Sequence, residues 1–310
     1  MPKINQEQAA KIIENKIIDS LKIKFNQFDT HPIRVIQASK SLIGLNLKNP
    51  NMKLLDFISI YMKEFDSSFY YSSFDYNKDL NEVISIRDLE EAFLIKDRKN
   101  ILDMSYQLSL VSSESHILEY LVEISLKQTG KSFLFIWSLY RSILFISNKD
   151  SKLFLNLAID AILSDEFTSL PNNDSKYKEN FDSWHSRIIK LDCLSPEKLD
   201  LYSHLLEAYN SDLIRISKIK DLIKNLIFNS NKFECISHSS DGSFNDRYAQ
   251  LFSKGRYWLL DFLNEQDKQT ITPNLIIFLD SIRSLLRFSD KNDYKFICGQ
   301  FKKWEILRGT

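Results

Sequence analysis

Apolar residues recur at three- and four-residue steps through most of the chain, with charged residues filling the gaps. Between 5 and 28 the series Ala9, Ile12, Ile13, Ile17, Leu21, Phe25 and Phe28 is interleaved with Glu7, Lys11, Glu14 and Lys22, which predicts one long amphipathic helix. Pro32, whose fixed φ suits a first helical turn, predicts a second helix capped by Thr30 and closed near Gly44. A third begins at Asn51, with Leu54, Leu55, Ile58, Tyr61, Met62 and Phe65 on its inner side. Helical spacing returns over 86–95, 99–111, 115–128, 132–146 and 151–163. Beyond these it predicts helices over 179–191, 196–210, 213–228, 246–263, 273–288 and 293–306. Ser195-Pro196 and Thr272-Pro273 are the clearest starts among them.

Three stretches interrupt this pattern. Residues 67–78 (SSFYYSSFDYNK) crowd five aromatic rings among Ser, Asp and Asn and predict a loop pinned by its rings. Residues 237–245 (SHSSDGSFN) predict a second polar loop. Residues 164–177 (SDEFTSLPNNDSKY) form the candidate linker between an N-terminal helical lobe, 1–163, and a C-terminal lobe, 178–310; the alternative is one continuous domain.

The remaining connections are short, which favours antiparallel neighbours. Six Gly and six Pro are too few to punctuate an all-β chain. The expected fold class is all-α, a multi-helix array or two-lobed bundle of about fourteen helices with no β-sheet. No fixed repeat period runs through it.

Composition narrows the function classes. Hydrophobic residues at 44% and charged residues at 26% place the chain among globular folds and away from disorder. Lys plus Arg equals Asp plus Glu at 41 each, so there is no basic excess to neutralise phosphates, and no nucleic-acid partner is expected. The longest apolar run, 133–146, is too short to span a bilayer and contains Arg141. The first 25 residues mix charges and lack an apolar signal core. Cys193, Cys235 and Cys298 are widely separated and form no C-x-x-C pair, which predicts free thiols in a reducing compartment. These features together predict a soluble cytoplasmic protein with no membrane partner.

The segment 127–133 (KQTGKSF) contains the Gly-Lys-Ser ending of a phosphate loop. Ser125 stands where the first glycine of that loop belongs, and the preceding residues are helical in spacing, so Gly130 is read as a helix-ending residue and Ser132 as a cap. No G-x-S-x-G is present. Asp241-Gly242-Ser243, close to His238, is accounted for by turn chemistry. Lys254-Gly-Arg256-Tyr257-Trp258 combines basic and aromatic groups at a helix end, and the rings Phe133, Phe135, Trp137, Tyr140 and Phe145 predict a helix buried on most sides.

Acid and imidazole pairs carry what catalytic or metal chemistry the sequence offers. His116 and Glu119, and again His204 and Glu207, stand three apart on predicted helices and so share a face. Glu123 lies a turn beyond the first pair, and Asp182 and His185 repeat the spacing in acid-first order. Imidazole with carboxylate suits divalent metals or acid–base work. Helical di-iron sites, however, use Glu-x-x-His with further inward carboxylates, and here the order is reversed. No resident metal or cofactor is expected.

The reading that follows is a helical scaffold acting through a protein-binding surface. The alternative is a helical enzyme with an internal pocket, in which His116, Glu119, His204 and Glu207 are the catalytic candidates.

Overall fold

The computed structural model describes residues 4–65, 85–128, 130–146, 151–166, 194–215, 217–229 and 253–309. The described residues form thirteen α-helices and no strand. The first eight are α1 (Gln6–Ser20), α2 (Pro32–Ile43), α3 (Met52–Tyr61), α4 (Ile86–Ile95), α5 (Arg98–Val111), α6 (Glu114–Ser125), α7 (Lys131–Ile143) and α8 (Ser151–Leu163). They are followed by α9 (Pro196–Asn210), α10 (Ser217–Asn229), α11 (Trp258–Glu265), α12 (Pro273–Phe288) and α13 (Tyr294–Gly309). None is long and apolar enough to cross a membrane.

Most helices start where a side chain can accept an orphan backbone N–H. Asn5 with Gln8 and Ser85 with Asp88 form reciprocal capping boxes. Asn51, Ser195 and Thr272 accept from Leu54, Lys198 and Leu275 as their positions predict. The cap of α2 is His31 instead of Thr30. Pro32 occupies the first helical position, so residue 31 is the cap by geometry, and His31 Nδ1 accepts from the Ile33 N–H at 3.2 Å. Burial drives the pKa of His31 down to about 4, which keeps a lone pair free for that bond.

Helix α1 stops at Ser20, short of the predicted 28. Ser20 Oγ donates to the Ile17 carbonyl at 2.7 Å, and Phe25 and Phe28 swing out to meet Phe135 edge-on at 5.1 and 6.5 Å. Ring packing at that corner overrides the helical period. The helix expected over 246–263 is also interrupted: Gly255, at φ +60°, opens a 3₁₀ turn, and α11 begins only at Trp258.

Gly130 is the residue directly before α7, at φ +101°, and Ser132 lies inside the helix. A Cβ at position 130 would sit 3.0 Å from Leu201 Cδ2 of α9. The phosphate-loop resemblance ends here, because the Ser132 N–H is taken by the carboxylate of Asp165 at 3.2 Å.

Helix α7 is the centre of the molecule, with eleven of its thirteen residues buried, Phe133, Phe135 and Trp137 among them. Helix α12 is nearly as enclosed, burying the unbroken run from Leu275 to Leu286. Helices from either side of 164–177 pack together, α9 and α2 on α12 and α9 on α7, and one apolar cluster extends from Ile17 of α1 to Phe301 of α13. The loops expected at 67–78 and 237–245, and most of 164–177, lie outside the described residues.

Candidate functional site: a buried layer of charge

Where α2, α7, α9 and α12 converge, each helix breaks its own apolar face with charge. Asp200, His204 and Glu207 follow one another at four- and three-residue steps along α9, while Asp280 and Arg283 are three apart on α12, so each set projects from a single face. Arg34 joins them from α2 and Arg141 from α7. Asp280 is 2% exposed and Arg283 4%; the residues of α9 in the layer are no more than 6% exposed.

Ionised groups this deep require partners, and all six carboxylate oxygens have them. Asp200 accepts from Arg34 Nη2 at 2.5 Å through one oxygen, and from Ser281 Oγ at 2.9 Å through the other, which also lies 3.3 Å from His204 Nε2. Glu207 receives Arg283 Nη2 at 3.1 Å on Oε1; on Oε2 it meets Arg141 Nη1 at 2.9 Å and His204 Nδ1 at 3.2 Å. Asp280 binds Arg283 Nε at 2.5 Å, and its second oxygen lies 3.7 Å from Arg141 and 3.8 Å from His204.

Both ring nitrogens of His204 therefore face carboxylates, an arrangement that only the imidazolium satisfies as a double donor. Burial alone would lower its pKa. The hydrogen bonds to Asp200 and Glu207, helped by the charges of Asp200 and Asp280, outweigh burial and lift it to about 9. Burial would likewise raise Asp200 and Glu207, but Arg34 holds the first, and Arg141 with Arg283 the second, well below the ordinary carboxylate range. Three arginines and His204 then balance Asp200, Glu207, Asp280 and the rim residue Asp29, which reaches Arg34 at 3.2 Å.

Lys40 is the cation left over. Its ammonium donates to the Arg141 carbonyl at 3.1 Å and lies 4.5 Å over the Phe145 ring; burial first, then the Arg141 guanidinium, pushes its pKa well below that of an ordinary lysine. Trp137 Nε1 and Gln37 with Ser142 complete the polar edge of the layer.

Of the residues read from the sequence, His204 and Glu207 meet each other inside this layer. His116 and Glu119 do not: His116 Nδ1 shares a hydrogen bond with Ser112 Oγ at 2.8 Å and its ring leans on Tyr120, while Glu119 accepts from the Arg215 N–H at 2.5 Å. Glu123 pairs with Lys218 at 2.6 Å. Asp182 and His185 lie outside the described residues. Among the described residues no group of His, Cys and acids is arranged to hold a metal ion.

The sequence reading missed Arg34, Asp200, Asp280 and Arg283. For Arg34, Asp280 and Arg283 the signal was present as charges in otherwise apolar helical runs (PIRVIQ, IIFLDSIRSLL), the same signal that Arg141 gives inside 133–146, while Asp200 sits in a mixed polar helix and gave none. The layer is saturated with internal partners, so its chemistry is that of a lock fixing four helices in register. The chain matches no protein-family model, no curated protein and no solved structure.

Proposed function

We propose that the chain is a soluble, cytoplasmic helical scaffold that acts by binding a protein partner, and that the α4–α5 hairpin is the binding surface. One observation carries this reading: the hairpin exposes Leu94 at 60%, Ile95 at 77%, Leu110 at 56% and Val111 at 83%, four of the ten large apolar side chains most open to water in the described residues. Leu94 and Ile95 end α4 beside the turn and Leu110 and Val111 end α5 about 20 Å away, so the hairpin carries a pair of exposed apolar side chains at each end, and paired exposure of this kind marks an interaction surface more often than single residues do.

A groove of 640 Å³ adjoins the hairpin, with Ile86, Leu94 and Tyr120 in its walls. Its charges are paired across the rim, Glu90 with Lys127, Glu91 with Arg87 and Glu123 with Lys218, which suits an apolar protein surface better than the phosphates of a nucleic acid.

The enzyme alternative has its foothold in His204 and Glu207. Those groups are buried and fully engaged, so a substrate would need to displace an ion pair to reach them. Photo-crosslinking in cells from a reactive group at position 95 is expected to give a discrete protein adduct. Leu94→Asp combined with Val111→Asp should abolish it without lowering the melting temperature. An adduct that persists in the double variant overturns the proposal.

A further inference from the structure

The turn that precedes α3 and the body of α11, more than 200 residues apart in sequence, enclose a hollow of 460 Å³ lined by Asn46, Asn49, Asn51, Asn264, Asp261 and Tyr257. A volume in this range is that of a small-ligand site. Its walls are tied together: Asn51 Nδ2 donates to Asn264 Oδ1 at 3.0 Å, and the Lys53 ammonium bridges the carbonyls of Asn264 and Gln266.

Two of the amides, Asn46 and Asn264, are held by one half and open at the other. Asn51 Oδ1 caps α3 through the Leu54 N–H, and Asn46 Oδ1 accepts from the Asn49 N–H at 3.2 Å. Asn264 Oδ1 is taken by Asn51, so the NH₂ groups of Asn46 and Asn264 are left to donate. The whole Asn49 amide and the Tyr257 hydroxyl also have no partner among the described residues. The orientation of Asn46 and Asn264 is thus fixed before any ligand arrives, which reduces the entropy cost of binding there, while Asn49 and Tyr257 are free to turn toward a ligand.

The charged groups that line the hollow already have partners within the fold. Lys53 is engaged by two carbonyls, and Asp261 by Lys254 at 2.8 Å. What remains is a ring of neutral donors and acceptors beside an aromatic ring open to water, Tyr257 being 54% exposed. Hydroxyl groups both donate and accept, and the C–H face of a pyranose ring packs on an aromatic ring. We propose that this hollow binds a neutral saccharide, with a sugar ring on Tyr257 and its hydroxyls bonded to Asn46, Asn49 and Asn264.

The test is saturation-transfer NMR on the full chain with maltopentaose, cellopentaose and chitopentaose, using an oligoglucuronate as the charged control. Transfer to the ring C–H protons of a neutral oligosaccharide is expected, with Kd rising roughly tenfold in Tyr257→Ala and in Asn49→Ala. Both side chains are exposed and outside the fold's hydrogen bonds, so both variants should melt with the wild type. A glycoprotein carrying mannose-rich chains, assayed before and after enzymatic deglycosylation, separates a protein-borne from a free saccharide: binding lost on deglycosylation assigns the former. The proposal is overturned if no neutral glycan in either arm binds, if both variants bind like the wild type, or if the charged control binds as well as the neutral sugars.

Discussion

The layer between α2, α7, α9 and α12 and the α4–α5 hairpin invert each other's chemistry. In the first, seven ionisable side chains lie in the interior; in the second, Leu94, Ile95, Leu110 and Val111 face water. The layer is stable because each charge meets its counter-charge within the same chain. Among the described residues nothing does the same for these four side chains of the hairpin. Burial here follows the availability of partners more closely than it follows polarity.

The largest expected effect breaks the layer. Arg283→Met leaves Asp280 and one oxygen of Glu207 without their guanidinium and should cost about 3 to 5 kcal/mol in urea melts. The double change Asp280→Leu with Arg283→Met removes both signs and should recover a large part of that loss, since Glu207 keeps Arg141. Equal or additive losses would mean that the packing of the aliphatic stems, and not charge balance, holds the layer together.

Proton linkage sharpens the comparison from the other side. His204 has a folded pKa of about 9 against 6.5 ordinarily, so its contribution is complete below 6.5 and disappears as pH rises through 9. Stability should fall on the alkaline side by on the order of 3 kcal/mol. In His204→Gln that alkaline limb should flatten. Asp200 and Glu207 act at the opposite end: their folded pKa values are depressed, so their contribution is present above the ordinary carboxylate range and is lost as pH falls through the depressed values. Guanidinium melts from pH 2 to pH 10 test both limbs, the acid one below pH 4.

The smallest effect belongs to the hairpin. Ile95→Ser should change stability by no more than about half a kcal/mol, because the side chain gives up little buried area. A loss of several kcal/mol would place that residue in the core and remove the basis for the binding surface.

Much of the fold was legible because helices advertise themselves locally. Asn51, Ser195 and Thr272 begin helices where a cap residue precedes an apolar period, and the enclosure of α7 follows from rings on nearly every side. The errors lie where distant residues decide. The early end of α1 depends on Phe135, more than a hundred positions later, whereas the cap at His31 was legible from Pro32 at the first helical position, with burial only keeping its lone pair free. The site was half legible. The spacing of His204 and Glu207 identified one face of α9, but which helices would bring Arg141 and Arg283 to it is a property of the packing and has no local trace.

Cys298, on α13, gives the molecule an internal clock. It is 1% exposed, and burial pushes its thiol up to about 12, so at pH 8 the closed protein presents almost no thiolate to an alkylating reagent. With Cys193 and Cys235 replaced by serine, every labelling event at Cys298 must pass through an opening of the C-terminal helix. The ratio of that labelling rate to the rate for an unhindered thiol then gives the free energy of the least costly such opening, and its comparison with urea melts tells whether α13 opens alone or with the whole fold.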